Sequence, residues 1–142
     1  MFQGASQLTL DGKGRVSVPS RHRDVLTAQC EGRLTLTRHP DGCLLVYARP
    51  VWEARRETIA ALPTSARAFQ RLLLGNAADA EIDSAGRVLV PSELRVAAGL
   101  ERDVMLLGMG THFELWDLAR LEQQEKKLLS EPLPESAASF SF

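Results

Sequence analysis

Cysteine, histidine and long apolar runs are scarce in this chain of 142 residues, and each shortage excludes a class of protein. Two cysteines, Cys30 and Cys43, are too few for a disulfide framework or a four-ligand zinc site, so we expect both to be small core residues. No apolar run approaches the roughly 18 residues that span a bilayer, which predicts a chain without a membrane-spanning helix. The amino terminus lacks the basic and apolar regions of a secretory signal, and we expect a cytoplasmic protein.

Patterns that would indicate catalysis or metal binding are equally sparse. His22, His39 and His112 are the three histidines; they have no ligand spacing, and we expect each to be a surface or turn residue. The sequence contains neither a nucleophile-elbow nor a phosphate-loop pattern, and no pair of acids marks a cleft. These observations predict a protein that is not an enzyme and that uses neither a metal nor a cofactor.

Charge is nearly balanced over the whole chain, at a net −1, but it is divided along it. Residues 1–75 hold eleven Lys and Arg against six acids, whereas residues 76–142 hold six against twelve. Such a division suggests a polyanion partner, or head-to-tail contact between copies of the chain. Six cations are concentrated in residues 13–38, a cluster that could also be an ordinary solvated surface: Lys13, Arg15, Arg21, Arg23, Arg33 and Arg38.

An internal repeat organises the sequence. The segment LDGKGRVSVPSRHRDVL, which begins at Leu10, recurs 72 residues later as IDSAGRVLVPSELRVAAGL, which begins at Ile82. Eight residues are identical in the two copies without a gap. Those of the first copy are Asp11, Gly14, Arg15, Val16, Val18, Pro19, Ser20 and Arg23, and they align in order with Asp83, Gly86, Arg87, Val88, Val90, Pro91, Ser92 and Arg95. Self-similarity of this kind predicts two copies of one structural module.

Each copy is expected to be rich in β-structure. Apolar and polar residues alternate in segments 7–10 and 15–18, which predicts two half-buried strands paired as a hairpin across the DGKG turn. The second copy has DSAG at the same place. In both turns the last glycine, Gly14 or Gly86, can adopt a positive φ, and the aspartate, Asp11 or Asp83, can accept backbone N–H bonds.

A short helix and a second hairpin follow in each copy. Pro19 and Pro91 end the strands, and we expect Ser20 and Ser92 to cap helices over 21–28 and 93–98. Gly99 is a typical helix stop. The sequences HPDG at 39–42 and GMGT at 108–111 predict the turns of the closing hairpins.

The repeat divides the chain into four expected segments: a first module at 1–49, a helical connector at 50–76, a second module with a C-terminal helix at 77–130, and a flexible tail at 131–142. In the connector, Trp52, Ile59 and Leu62 lie on or near one helical face, and Phe69, Leu72 and Leu73 form the apolar stripe of a second helix. Because isolated hairpins are marginally stable, we expect the two modules to share one core.

Several of these motifs together resemble the MraZ family of bacterial transcriptional regulators: the opening MFQGA, the two DxxGR turns, the GRVSVP and GRVLVP strands, and RLLLG at the end of the connector. The resemblance covers nearly the whole chain and weakens only in the tail. It implies two modules like those of the AbrB and SpoVT regulators, folded into a swapped-hairpin (double-split) β-barrel with peripheral helices. It also implies a nucleoid-associated, homo-oligomeric ring that binds short direct repeats in the promoter of the division and cell-wall gene cluster.

The DxxGR turns provide the candidate contacts to double-stranded DNA. The planar fork of an arginine can bond a guanine edge or grip phosphates, which favours Arg15 and Arg87 as DNA-binding residues. Lys13, Arg21 and Arg23 would add phosphate contacts, which position a protein without reading sequence. The same arginines could instead clamp their turns by pairing with Asp11 and Asp83, and the two roles are compatible.

The two copies are not equivalent in charge. Lys13, Arg21 and His22 of the first copy correspond to Ala85, Glu93 and Leu94 of the second. We therefore expect the first module to be the main DNA reader and the second to contribute Arg87 at most. An AbrB-like scaffold that binds a protein and an antitoxin-type interaction module remain the alternatives, and salt-sensitive, sequence-selective binding to DNA would separate them from a regulator.

Overall fold

The computed structural model describes all 142 residues, which form eight strands and six α-helices. The strands are β1 (Phe2–Thr9), β2 (Arg15–Ser17), β3 (Arg33–Arg38), β4 (Leu44–Ala48), β5 (Ala78–Glu81), β6 (Arg87–Leu89), β7 (Asp103–Gly110) and β8 (Phe113–Asp117). The helices are α1 (Ser20–Cys30), α2 (Arg49–Ala60), α3 (Arg67–Leu74), α4 (Ser92–Ala98), α5 (Leu118–Ser130) and α6 (Glu135–Ala138), with a 3-10 turn at Thr64–Ala66.

Most strands of one half of the chain pair with strands of the other half. Six strands form one antiparallel sheet in the order β1-β7-β8-β4-β3-β5, and β2 and β6 form a separate two-stranded ribbon. Only the β3–β4 and β7–β8 pairs join strands of the same half. The β1–β7, β3–β5, β4–β8 and β2–β6 pairs all cross between halves. The sheet order is therefore symmetric with respect to the repeat, with β1-β7-β8 matching β5-β3-β4.

The predicted hairpin across each DxxG turn is wrong, although the turns themselves form. The Asp11 N–H donates to the Arg15 carbonyl at 2.9 Å and the Gly14 N–H to the Asp11 carbonyl at 3.0 Å, so the chain reverses as expected. The strand after the turn then leaves the sheet and pairs with its counterpart in the other copy. The alternation of side chains predicts which face of a strand is buried but not which strand becomes its partner.

The fold is mixed α+β and rich in sheet, as predicted. Its six-stranded sheet is open, because no ladder joins the edge strands β1 and β5, and a closed barrel is not found.

The main hydrophobic core lies between the ribbon and one face of the sheet. Val16, Val18, Val88 and Val90 reach it from the ribbon side. Residues from the sheet and from the first helix of each copy complete it, and they include Leu26, Leu34, Leu36, Leu44, Val46, Leu94, Val104, Leu106, Phe113 and Leu115. The two modules thus share one core, as expected, and the burial of Val16 and Val88 leaves the opposite face of the ribbon toward solvent.

The connector forms the predicted helical hairpin of α2 and α3, which covers the other face of the sheet. Trp52, Ile59 and Leu73 are buried there with Leu45 and Tyr47 of β4.

The prediction that Leu62 and Phe69 also lie in these apolar faces is wrong, because they are 36% and 40% exposed. The buried face of α3 is set by Gln70 and Leu73, and Phe69 is rotated about 100° from its neighbour Gln70.

The serine caps predicted for α1 and α4 are also wrong. The Pro19 carbonyl accepts N–H bonds from His22 and Arg23, the Pro91 carbonyl accepts the equivalent bonds, and neither serine makes a capping bond. A proline can start a helix in this way because its ring holds φ in the helical range while its carbonyl stays free to accept the first N–H bonds. Gly99 ends α4 at a φ of 63°, as predicted.

The closing hairpins differ slightly from expectation. The HPDG turn forms, with the His39 N–H donating to the Cys43 carbonyl at 3.0 Å. The second turn comes one to two residues later than GMGT, because β7 extends to Gly110 and the Met109 N–H bonds the His112 carbonyl.

Cys43 is a buried core residue, as expected, whereas Cys30 is only half-buried. Both are free thiols.

The C-terminal tail contains the short helix α6. Phe140 and Phe142 of the tail are exposed, and among the aromatic rings they contact only each other. No helix has both the length and the apolar character needed to cross a bilayer.

Candidate nucleic-acid interface

The first Gly-Arg turn is held together by the carboxylate of Asp11. Its Oδ1 accepts the backbone N–H bonds of Lys13 and Arg15, each at 2.9 Å. Its Oδ2 accepts a bond from Nε of Arg15, also at 2.9 Å. Gly14, with a φ of 84°, supplies the left-handed residue that this turn requires. The predicted turn clamp is therefore present in the first copy.

The second turn has the same backbone but a looser clamp. Oδ1 of Asp83 accepts the N–H bonds of Ala85 and Arg87 at 2.9 Å, and Gly86 has a φ of 80°. Nε of Arg87, however, lies 3.6 Å from Oδ2 of Asp83 and makes no hydrogen bond. The two turns thus differ in how firmly the arginine is oriented.

Backbone hydrogen bonds to the aspartates change their acidity. The Arg15 N–H holds the pKa of Asp11 below its ordinary value of 3.8, although partial desolvation opposes the shift. The Arg87 N–H lowers the pKa of Asp83 in the same way, with a smaller contribution from the charge of Arg15. The main cause at each turn is therefore local, a backbone N–H bond from the arginine of the same turn.

The ribbon places the two Gly-Arg turns at its opposite ends and brings their arginines onto one face. In the β2–β6 register Val16 lies opposite Val88, Arg15 opposite Leu89, and Arg87 opposite Ser17. Since alternate residues point to opposite faces, Arg15, Ser17, Arg87 and Leu89 share the face that points away from the core. Lys13 lies exposed in the adjoining turn. The structure therefore places two of the five predicted DNA-binding residues, Arg15 and Arg87, on one pseudo-symmetric surface, with Lys13 in the turn beside it. This surface is called the ribbon face below.

The guanidinium of Arg15 is held at its Nε, whereas its two terminal nitrogens are free. Its Nε is bonded to Asp11, but neither terminal nitrogen of its guanidinium makes a hydrogen bond within the protein. The side chain is 26% exposed. A held guanidinium with two unbonded terminal nitrogens can form a bidentate contact with a guanine edge or a phosphate without first losing much conformational freedom.

Arg21 lies away from the ribbon face. Its Nη2 donates to Oγ of Ser6 at 2.9 Å, and its Nε donates to Nε2 of His22 at 3.2 Å. Ser6 is five residues before Asp11 on an extended strand, a separation of roughly 16 Å.

His22 is buried, so the prediction that it lies at the surface is wrong. Its ring contacts those of Phe2 and Phe113, and desolvation lowers its pKa.

Arg23 reaches a different turn from the one that precedes it. Its guanidinium covers Gly86 of the second copy, and Arg95 of the second copy covers Gly14 of the first. No role was predicted for Arg95, although its match to Arg23 in the repeat is a usable signal. No group of three or more His, Cys, Asp or Glu side chains could hold a metal ion.

Comparison with known proteins agrees with the repeat. A family model described as "MraZ protein, putative antitoxin-like" matches the chain twice, over residues 1–74 and 73–140. Each match contains one Gly-Arg turn and the strands that follow it.

Curated relatives match over the full length. A protein of Bordetella pertussis (strain Tohama I) is 65% identical over 142 residues, and one of Herminiimonas arsenicoxydans is 61% identical over 142 residues; both alignments cover 100% of each chain. A relative from Methylibium petroleiphilum is 61% identical over 142 residues, covering 100% of this chain and 97% of its own. All three bear the name Transcriptional regulator MraZ. The doubled Gly-Arg turn, the two family matches and these full-length relatives show that the chain belongs to the MraZ family.

Proposed function

We propose that this protein is a sequence-specific, DNA-binding transcriptional regulator whose ribbon face contacts double-stranded DNA. The observation that carries the proposal is that Arg15 and Arg87, one from each Gly-Arg turn, share one exposed face of the ribbon, with the terminal nitrogens of Arg15 unbonded. The names of the relatives support the regulatory role. A two-stranded ribbon is also one of the elements that the major groove of B-DNA admits.

Within this proposal the cations have different tasks. Arg15 and Arg87 reach base edges, Lys13 contacts phosphate beside them, and Arg21 contacts phosphate farther along the DNA. Arg23 lies over Gly86 and supports the second turn. Base contacts would specify sequence, whereas phosphate contacts would set orientation and make binding sensitive to salt. Asp11 and Asp83, with Gly14 and Gly86, hold the turns in shape.

The first module is proposed to be the main reader. Its arginine is bonded to Asp11 at 2.9 Å, whereas the corresponding distance at Arg87 is 3.6 Å, so Arg15 is better oriented before DNA arrives. Lys13 adds a cation where the second copy has Ala85. The contribution of the second module is Arg87.

Two single substitutions test the function and the asymmetry together. At physiological salt Arg15→Ala is expected to abolish specific operator binding and Arg87→Ala to weaken it less, because each removes a bidentate contact that discriminates bases by about 1–3 kcal/mol. Binding would be measured by gel-shift titration on the promoter DNA upstream of the protein's own gene. Arg56→Ala, which removes an exposed arginine from α2, is the matched control.

Light scattering on the same variants checks that assembly is unchanged. Equal losses for Arg15→Ala and Arg87→Ala would contradict the asymmetry, and unchanged binding in both would contradict the proposed ribbon face.

We further propose a homo-oligomeric ring that binds short direct repeats in the promoter of the division and cell-wall gene cluster, in the cytoplasm and at the nucleoid. The opposite charges of the two halves of the sequence motivate head-to-tail contact, and heterologous contacts form rings where the rotation between neighbours closes. A ring that presents several ribbon faces to tandem repeats would gain about a hundredfold or more in affinity through effective concentration.

We propose that residues 1–49 and 77–130 are the two modules, joined by a connector at 50–76 and followed by a tail at 131–142, and that the modules form a swapped-hairpin barrel. The exchanged pairing of β2 with β6 and of β1 with β7 supports a unit built from both copies.

An antitoxin-type interaction module is the second candidate. The description of the matching family model mentions an antitoxin-like character, and the C-terminal region exposes Leu128, Leu129, Leu133, Phe140 and Phe142. Exposed apolar side chains of this density are typical of partner-binding segments. Removal of residues 131–142 would leave operator binding intact if the chain is a regulator of the proposed kind.

A further inference from the structure

Two arginines that match in the repeat each lie on the turn of the other copy. A Cβ built on Gly14 would lie 2.5 Å from Cζ of Arg95, and one built on Gly86 would lie 2.9 Å from Cζ of Arg23. Each guanidinium therefore packs directly against the Cα of the glycine in the other copy. Both glycines are buried although the neighbouring turn residues Lys13 and Ala85 are exposed. The two arginine side chains thus shield these glycines from solvent.

The backbone makes the same exchange. The Val18 N–H donates to the Gly86 carbonyl at 2.9 Å, and the Val90 N–H donates to the Gly14 carbonyl at 2.8 Å. Helices α1 and α4 begin two residues after these valines. The start of each helix is thus tied to the turn of the other copy, and the arginine one turn into the helix is carried to that turn.

Neither arginine is placed by a charge partner. Arg23 and Arg95 form no ion pair and no side-chain hydrogen bond in the protein, and Nε of Arg95 is buried without a partner. Burial of an unbonded N–H is unfavourable, so the Nε of Arg95 does not itself stabilise the contact with Gly14. The planar guanidinium instead matches the flat surface of a glycine with no side chain.

We infer that Arg95 and Arg23 are positioning residues for DNA recognition, each holding the Gly-Arg turn of the opposite module in its DNA-binding conformation. Arg95 holds the turn that carries Arg15, and Arg23 holds the turn that carries Arg87. This inference rests on the proposed function for its effect on DNA, but the exchange of contacts can be tested without DNA. It assigns a role in the first turn to a residue of the acidic second half.

The first experiment uses the free, full-length protein. In Arg95→Ala, the amide resonances of Gly14 and Arg15 should shift and their hydrogen exchange should accelerate, while those of Gly86 and Arg87 stay unchanged. Arg23→Ala should give the reverse pattern, and Arg56→Ala should alter neither turn. If Arg95→Ala leaves the Gly14 and Arg15 amides unchanged, the positioning role is overturned whatever the protein binds.

The second experiment measures operator binding at low salt, where weakened variants still bind. Arg95→Ala should weaken binding about fivefold or more, and this loss should largely disappear in an Arg15→Ala background, because residues that act through one element are coupled. The loss should persist undiminished in an Arg87→Ala background. Arg23→Ala should show the opposite dependence.

The conservative variant separates positioning from direct contact. Lysine keeps the charge but not the planar surface, so Arg95→Lys should bind nearly as weakly as Arg95→Ala if the guanidinium covers the turn. Full affinity in Arg95→Lys, together with a salt dependence reduced by about one phosphate contact in Arg95→Ala, would identify a direct phosphate contact and overturn the inference.

Discussion

At the scale of single residues, Gly14 carries two constraints at once. Its φ of 84° lies in the left-handed region, and a Cβ there would lie 2.5 Å from Cζ of Arg95. We expect Gly14→Ala to lower the free energy of unfolding by about 1–3 kcal/mol, through backbone strain and displacement of the arginine.

Gly12 in the same turn is the matched control, because it has no atom within 4 Å of a built Cβ and no positive φ. Gly12→Ala should change stability little. Denaturant unfolding of both variants makes the comparison, and similar losses would contradict the account of the turn.

The aspartates of the turns should make stability depend on pH in the acid range. Their pKa values are lowered in the folded protein, mainly by the backbone N–H bonds of Arg15 and Arg87. A carboxyl whose pKa is depressed on folding stabilises the protein above its unfolded pKa, and that contribution is lost as pH falls through the folded pKa.

We therefore expect NMR titration to give midpoints below 3.8 for Asp11 and Asp83. The stability difference between the wild type and Asp11→Asn should shrink as the pH falls below 3.8. A difference that stays constant across this range would contradict the prediction.

At the scale of elements, the connector is attached to the sheet by a few side chains. Trp52 of α2 is 3% exposed and packs with Tyr47 and Leu73, whereas Phe69 of α3 is 40% exposed. Trp52→Ala should lower the free energy of unfolding by about 3–5 kcal/mol, because it leaves a large cavity. Phe69→Ala should cost less than about 1 kcal/mol.

Thermal or denaturant unfolding would measure both connector variants. The comparison also checks the observed orientation of α3, because the sequence pattern alone placed Phe69 in the apolar stripe. A larger loss for Phe69→Ala than for Trp52→Ala would mean that α3 is rotated relative to the sheet.

At the scale of the whole molecule, neither half has a complete fold of its own. Without the second half, β1, β2 and β3 lose β7, β6 and β5, and the main core loses the side chains that the other copy contributes. We expect neither residues 1–62 nor residues 63–142 to unfold cooperatively as a monomer, because unpaired strands and half a core rarely suffice.

A full-length chain with a protease site inserted after Leu62 provides the control. Once cut between α2 and α3, its two pieces should stay together on gel filtration and retain the native circular dichroism spectrum. Cooperative unfolding of either piece alone, as a monomer, would contradict the exchange of strands.

The residues of the turns were the most predictable part of the molecule. The turns are held by interactions within four or five neighbouring residues, which involve Asp11, Gly14, Asp83 and Gly86. Interactions of such short range can be predicted from neighbouring residues in the sequence. The helical connector was predictable for the same reason, since its apolar spacing is local. The orientation of Phe69 and the burial of His22 were not, because each depends on what another segment places beside it.

The order of residues alone indicates two like modules, a Gly-Arg turn closed by an aspartate in each, and a concentration of cations in the first half. The pairing of β2 with β6, the common face of Arg15 and Arg87, and the contact of Arg95 with Gly14 became visible only in the folded chain. This is because two similar modules offer each strand two similar partners, one in its own copy and one in the other. The choice between them depends on the packing of the whole core, which no local pattern of residues contains.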